Sequence, residues 1–534
     1  MSRSWKILPK ISDDLKLQLL HNRGINIKRE IDDFFNPSID RFKKDLEIPG
    51  ISPAQKRIQK AIENQELIIV YGDYDVDGVC ASAIMYKALT ELGAKVLPYI
   101  PHREKEGYGL SNQGLEFARD SGAGLVITVD NGIVAINQAK FAKKIGLDLI
   151  ITDHHLPLKE LPEAHAIVHS TKMCGAAVAW CLVKDLISEE LSKDLLQFVA
   201  IATIGDLIPL IELGRAFVSE GLKVMNKTKN IGLLELIFEC GLTPGLLGSY
   251  EVGHILIPRL NAVGRLEHAI DALRLLCTKD KFKARKLSKL LCEMNAQRQL
   301  LTAQAVEEAK IKVSKNTSKK IHILHSEKWH PGIIGLIASR IAEESLRPVI
   351  AISINETYAK GSARSANGLN IVELIRKSSD LLVDVGGHAG AAGFTIAKEN
   401  IEEFKKRLED LMDGEEDEIG QVLEIEAEIE SKKITKSLIK ELEQFEPFGF
   451  GNLRPILATK LMRISDVRTV GNDKHLKFKA DRIDAIAFGM GGMKEILQNG
   501  SLANVAYYLE INKYNGREIL QLKVKDIQLN EIAV

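Results

Sequence analysis

Between residues 66 and 210 short apolar runs alternate with stretches of helical spacing. The runs are Leu67–Val70, Val96–Ile100, Leu125–Val129, Leu147–Ile151 and the short Ala166–Val168. Helical stretches follow at Val79–Leu92, Ile133–Ile145, about 175–188 and about 192–204. Continuous apolar runs separated by helices predict a parallel sheet covered on both faces. Residues 1–65 read as a helical lead-in: Ile11, Leu15 and Leu19 recur on one helix face, Pro37 and Pro49 interrupt, and Ala54–Ile62 feeds the first strand. Residues 211–318 read as mostly helical, broken by Ile257-Pro-Arg-Leu-Asn-Ala-Val-Gly-Arg265. From about Lys279 to Ser314 there is neither Gly nor Pro, and Leu287, Leu290, Leu291 and Met294 keep helical spacing, predicting one long helix that bridges two lobes.

A second α/β unit spans 319–413. Its strands are Ile321–Leu324, Val349–Ile354 and Tyr358–Ser362, and its helices cover about 333–345, 370–380 and 399–411. The glycine cluster Gly386–Gly393 lies among them, and the acidic run Glu415–Glu418 marks a linker. From 420 to 534 the period becomes two. Leu423, Ile425, Ala427 and Ile429 alternate with glutamates, and short strands follow, as in a small closed β domain of the oligonucleotide-binding type.

A chain of 534 residues needs several cores. Lys plus Arg and Asp plus Glu both number 72, so any phosphate binding needs a local basic surface or bound metal. The six cysteines form no C-x-x-C pair, which argues against zinc ribbons and fits reduced thiols in a cytoplasm. The N-terminal stretch lacks the apolar centre of a signal peptide, and no apolar run approaches membrane-spanning length.

Polar residues gather where the apolar elements end. Asp73, Asp75 and Asp77 follow the first strand, Asp130 the third and His154-His155 the fourth, while Asp206 closes a helix. In parallel sheets ligands bind beyond the carboxyl ends of the strands. A D-x-D, a V-D-N-G or a D-H-H alone suits a turn or surface loop as well; their shared register makes the metal reading. Oxygen donors with one or two imidazoles suit paired Mn²⁺ or Mg²⁺ better than zinc. Two such ions sharing an aspartate suit phosphodiester or pyrophosphate hydrolysis.

The ordered set GDYDVDG, TVDNG, TDHH and IGDLIPL resembles the DHH phosphoesterase superfamily. WHPGIIGLIASRIAEESLRPVI, KGSARS and GGHAGAAGF resemble its associated DHHA1 domain. With NRGI at 22–25, PRLNAVGRL at 258–266 and PFGFGN at 447–452, the order is similar to the superfamily's branch of single-strand-specific DNA exonucleases. The resemblance implies an α/β fold: a parallel-sheet DHH domain (66–210) after the lead-in, a helical region (211–318) whose long helix joins it to a smaller α/β DHHA1 domain (319–413), and a C-terminal OB-like β-barrel (420–534). It implies 5′-to-3′ hydrolysis of single-stranded DNA in repair and recombination, in a cytoplasmic monomer with no membrane partner. A single-strand-binding protein and a helicase are the implied protein partners.

By the same resemblance Asp75, Asp77, Asp130, His154 and Asp206 hold two divalent ions, Mn²⁺ or Mg²⁺. His155 either assists the water or leaving group or orients a ligand, and Asp73 takes a catalytic or supporting place beside it. Arg103, Ser362 and Arg364 form a terminal-phosphate pocket, with His388 in the glycine cluster nearby. Arg259, Asn261 and Arg265 line the path of the strand. Trp329 is expected to pack the second lobe. Lys474, Lys477, Lys479, Arg482, Tyr507 and Tyr508 give the β domain a basic and aromatic character that suits single-strand stacking. Tyr71 stands where small-substrate relatives have a metal-binding histidine, which favours the exonuclease branch. IVHSTKMCGAAVAW lacks the family's Asn-Pro, so a loop near the cleft differs, and no further domain is expected after the β domain. Two other readings remain: a phosphodiesterase for short RNA or cyclic dinucleotides, and a non-catalytic replication scaffold.

Overall fold

Strand β1 (Ser4–Ile7) opens the chain where the local pattern suggested helix. It pairs in parallel with a strand at Val422–Ile425, and a partner that distant leaves no local signature. Asp14 caps the following helix, Leu15–Asn22, by accepting from Lys16 N and Leu17 N. Ile11 therefore falls outside that helix and is exposed, while Leu19 is fully buried. The computed structural model describes residues 4–103, 106–107, 109–315, 319–355, 357–366, 368–413, 422–514 and 517–529. It divides into two compact units, one of residues 1–101, 106–257 and 422–534, the other of 102–105 and 258–421.

In the first unit β2 (Leu67–Tyr71), β3 (Lys95–Tyr99), β4 (Ala123–Val129), β5 (Asp148–Asp153) and β6 (Ala166–His169) form one parallel sheet. Its order is β3-β2-β4-β5-β6, so the chain changes direction between β2 and β4. Such a switch point opens a crevice at the carboxyl ends of the two strands. Helices Asn112–Asp120 and Ile136–Lys144 cover one face through Leu115, Ala118, Ala139 and Ala142. Helices Val76–Glu91, Gly175–Val183 and Glu189–Gly205 pack together on the other. Gly175–Val183 reads GAAVAWCLV, with no polar face, and every residue of it is buried.

The second unit holds the 34-residue helix Lys281–Ser314. Its sheet comprises β7 (His322–Ser326), β8 (Val349–Ile354), β9 (Tyr358–Arg364), β10 (Leu382–His388) and β11 (Ala391–Ala397), in the order β10-β11-β9-β8-β7. Two sequence expectations change here. The glycine cluster is an antiparallel pair with Gly386 opposite Gly393, because cross-strand packing outweighs the low strand preference of glycine. Gly361 on β9 shows the reason for small residues: an added Cβ would stand 2.1 Å from the Phe394 ring. The stretch from Ile257 is helix through Leu266 despite Pro258. The preceding turn, Val252–Leu256, is π-helical, a departure from the α pattern that accommodates the missing N–H of the proline.

Strands β12 (Val422–Ile425), β13 (Ala427–Glu428), β14 (Leu457–Val470), β15 (His475–Ala480), β16 (Ile483–Ala487), β17 (Leu502–Tyr514) and β18 (Arg517–Leu529) return to the first unit. β12 joins β1, and the others run β13-β14-β15-β16-β18-β17 with β14 also paired to β17, closing a barrel. Its core includes Leu19, Leu20 and Phe34 from the N-terminal helices. Arg215, 2% exposed, donates to the carbonyls of Phe34, Phe445, Glu446 and Pro447 and lies over the Phe34 ring. The acidic run Glu415–Glu418 lies outside the described residues.

Candidate metal centre

Four buried carboxylates surround the switch point: Asp73, Asp77, Asp130 and Asp153 are each 1–2% exposed. Gly72 ends β2 in a space that admits no side chain, since an added Cβ would stand 2.0 Å from Ser82 Oγ. Asp75 then caps the helix Val76–Glu91, its Oδ1 accepting from Asp77 N at 2.9 Å and Gly78 N at 3.1 Å. The helix thus begins earlier than its apolar spacing suggests, and Asp77 lies in its first turn. Gly78 is required there: a Cβ would come within 2.7 Å of the Asp73 Cα.

A second helix start meets Asp77. Gly175 N and Ala176 N donate to its two oxygens, each at 2.7 Å. Asp130 follows β4 with φ +64, a conformation in which a non-glycine residue needs support. Its N–H donates to Thr152 O, and neighbouring Asn131 donates through Nδ2 to Tyr71 O and Val129 O, tying the ends of β2 and β4. At the end of β5, Asp153 Oδ1 accepts from His154 N, His155 N and His155 Nδ1, the last at 2.7 Å. Asp153 Oδ2 accepts from Ile133 N. Asp206 is the C-cap of Glu189–Gly205.

These elements bring ligand atoms of Asp130, His154 and His155, of Asp77, His154 and Asp206, and of Asp73, Asp75 and Asp130 within 4.8 Å of one another in each group. His154 Nε2 lies 3.1 Å from Asp130 Oδ1 and 3.6 Å from both Asp77 Oδ2 and Asp206 Oδ2. All seven sequence candidates of the first unit therefore meet in one place, with Asp130 and His154 each in two groups.

The electrostatics fit a cation. Burial, then repulsion from Asp206 and Asp75, pushes the Asp77 carboxyl up to about 8, although two N–H groups partly offset it. Burial and the charge of Asp75 push Asp206 up to about 7. Asp130 is raised well above the usual range by burial and by Asp77, Asp75 and Asp73. Burial, then His155, brings His154 down to about 4, leaving a neutral imidazole with a lone pair to give. Burial opposes charge on His155, yet the bond to Asp153 and its charge raise the imidazole overall. Repelling acids and a neutral imidazole form an oxygen-rich donor set for hard divalent ions.

Tyr71 lies apart from this chemistry. It is fully buried beneath Gly114, and its hydroxyl donates to Gly109 O. The candidates for gripping phosphate and lining the strand's path belong to the second unit. Arg364 Nη1 donates to Ser362 Oγ at 3.3 Å and Nε to Ser339 Oγ at 3.0 Å. Burial lowers its guanidinium. A Cβ on Gly335, in the first turn of helix Ile334–Ser345, would stand 3.2 Å from both Arg364 Nη2 and Ser362 Oγ. His388 ends β10, exposed, its Nδ1 accepting from Gly390 N. Arg103 groups with this unit. Arg259, Asn261 and Arg265 share the helix Ile257–Leu266, and Arg265 Nη1 donates to Gly332 O. Trp329 is buried, its indole donating to Glu308. In the barrel Tyr507 is buried with its hydroxyl on Thr459, whereas Tyr508 has the Lys525 ammonium 5.0 Å from its ring.

Sequence reasoning passed over several contributors. Asp153 was read as lying just past the strand and given no role, though its place before two histidines was a signal; it ends β5. Gly175 and Ala176 carry none, because they act through backbone N–H groups. Arg298, on the long helix, donates to Asn295, and its guanidinium is lowered by burial and by Arg259.

Three family models match the chain: the DHH family N-terminal domain over 67–203, the DHHA1 domain over 318–414 and the RecJ OB domain over 425–526. The single-stranded-DNA-specific exonuclease RecJ of Bacillus subtilis (strain 168) is 36% identical over 537 residues, covering 97% of this chain and 68% of its own. The crystal structure of RecJ from Thermus thermophilus in complex with Mn²⁺ superposes with a TM-score of 0.85 at 28% identity, covering 99% of this chain and 80% of that one. The complex of the same protein with Mg²⁺ gives a TM-score of 0.79 at 27% identity, covering 99% and 79%.

Proposed function

The chain belongs to the RecJ family, and from that premise we propose that it is a metal-dependent exonuclease that shortens single-stranded DNA from the 5′ end. The observation that carries this reading is the convergence of Asp75, Asp77, Asp130, His154 and Asp206 at the sheet's switch point. These five residues would hold two Mn²⁺ or Mg²⁺ ions. Such a pair ionises a water, clamps a phosphoryl oxygen and stabilises the leaving oxygen.

The chain's own groups do the rest. Gly175 N and Ala176 N hold the Asp77 carboxylate, so its oxygens need no reorganisation when substrate arrives. Asp153 fixes the His155 ring through Nδ1 and leaves Nε2 to pass a proton to or from a reacting oxygen. Asp73 sits beside Asp75 and Asp130 and completes the acidic wall.

The 5′ polarity rests on the second unit. Ser362, Arg364 and the first turn of Ile334–Ser345 give a hydroxyl, a guanidinium and a helix start at one place, a combination suited to a terminal phosphate. Arg103 and His388 add to that grip, and Arg259, Asn261, Arg265 and Arg298 take the internucleotide phosphates. Because net charge is zero, this binding depends on such local clusters.

The test is a single strand labelled at either end, incubated with the protein and Mn²⁺ beside a blunt duplex and a dinucleotide. Mononucleotides are expected from the 5′ end of the single strand, faster with a 5′ phosphate. Release from the 3′ end removes the polarity. A preference for the dinucleotide replaces the reading with a small-substrate phosphodiesterase.

A further inference from the structure

Around the segment that carries Asp206, apolar side chains stand in water. Leu207 directly follows Asp206, holds φ +56 and is 65% exposed. A leucine in the left-handed region and in solvent is unfavourable on both counts, and such residues cluster at functional sites. Tyr250 is 60% exposed and stacks on His254, with ring centroids 4.6 Å apart and 20° between planes. Phe450 is 56% exposed.

The segments that carry Tyr250 and Phe450 contact the chain on either side of Asp206. Leu210 N donates to Phe450 O at 2.7 Å, and Ser249 Oγ donates to Phe448 O at 2.6 Å. The π-helical turn Val252–Leu256 packs on the end of the helix that Asp206 caps: a Cβ on Gly253 would stand 3.2 Å from Ile204 Cγ2. A Cβ on Gly205 would stand 2.4 Å from Val76 Cγ1, between the ligand positions Asp75 and Asp77. π-Helical turns concentrate at functional sites.

We propose that Leu207, Tyr250 and Phe450 form a platform on which unpaired nucleobases stack beside the metal centre. The proposal rests on the exonuclease reading and adds the surface that receives the bases. The two exposed aromatic rings and the leucine suit the face of a base, and the neighbouring Arg454 guanidinium, over the Phe448 ring, suits the phosphate that follows it. Every base has a π face, so such a surface grips single strands with little regard for sequence. A duplex keeps its base faces stacked inside and has none to offer. The platform therefore selects single strands by chemistry, independently of the width of any passage.

The experiment compares a 5′-phosphorylated single strand with the same strand carrying abasic residues at its first positions. For the unaltered protein kcat/KM falls roughly fivefold or more on the abasic strand. Tyr250→Ala with Phe450→Ala loses a similar factor on the natural strand and no longer distinguishes the two. Tyr250→Phe and Phe450→Trp restore the distinction. The single alanine variants, read by the same ratio, keep the test open if the double variant misfolds. Alanine variants that keep the unaltered ratio overturn the platform alone. An unaltered protein inert on every strand with Mn²⁺ overturns the exonuclease reading and the platform with it.

Discussion

Adding one methyl group at Gly175 tests whether backbone geometry, and not only ligand identity, sets the metal centre. In Gly175→Ala the new Cβ would stand 2.5 Å from Asp130 Oδ1, 2.6 Å from its Cβ and 2.8 Å from its Cα. Ordinary contact begins at 3.4 Å. The helix Gly175–Val183 cannot retreat, since every residue of it is buried. Asp130 must therefore yield, its oxygen moving by about 0.9 Å and its Cα by about 0.6 Å, at an overpacking cost of roughly 1–3 kcal/mol. Asp130 already holds φ +64 and has little freedom to adjust. The same methyl strains the Gly175 N–H bond to Asp77. A ligand displaced by about 1 Å lowers turnover on the order of 10²-fold. The assay is single-turnover cleavage with saturating Mn²⁺, beside Mn²⁺ titration by electron paramagnetic resonance. Turnover is expected to fall by roughly that factor and Mn²⁺ affinity to weaken, with circular dichroism unchanged. Gly492→Ala, whose Cβ meets nothing within 4 Å, is expected to match the unaltered protein in all three. Native turnover and Mn²⁺ affinity in Gly175→Ala would refute the reasoning.

Three further expectations concern charge. Asp77 and Asp206 titrate near 8 and 7 in the metal-free fold against an ordinary 3.8. The fold then holds protons that the unfolded chain has released, so this stabilisation is full below about pH 4 and lost as pH rises through 7 and 8. Thermal shift by Mn²⁺ should accordingly grow between about pH 6 and 8.5, and Asp77→Asn should be inactive yet more heat-stable than the unaltered protein when metal-free at about pH 8. A Mn²⁺ shift independent of pH would contradict this. Asp153→Asn removes the carboxylate that holds His155, and kcat should fall roughly 10–100-fold with the five ligands intact. An unchanged pH–rate profile in that variant would count against a proton-transfer role for His155.

The elements that carried a local pattern were legible in the sequence. The apolar runs ending at Val70, Val129 and Ile151 announced a parallel sheet, and polar residues gather just beyond them. The long helix was visible because no Gly or Pro breaks it. Features that depend on distant partners were not legible. β1 takes its conformation from Val422–Ile425, and of the glycine-rich pair β11 is held between β10 and β9. The helix at Pro258 hid behind a residue that usually ends helices. At the candidate metal centre the acidic and imidazole residues that cluster were visible as residue types, whereas the N–H donors of Gly175 and Ala176 were not, since a backbone group has no letter of its own.

The pairing of β1 with β12 has a consequence for how the protein is made. Residues 258–421 are inserted within a unit whose first strand is β1 and which is finished by the barrel. The first strand leaves the ribosome long before its partner exists, and Trp5 waits longer still for Asp526. Arg215 likewise has three of its four carbonyl partners downstream, at Phe445, Glu446 and Pro447. The five-stranded parallel sheet can form during synthesis, but the unit around it closes only once the barrel strands have been made. Contacts of such sequence separation fold slowly. A nascent chain stalled before residue 422 would leave the apolar faces of Leu19, Leu20 and Phe34 without the barrel that buries them.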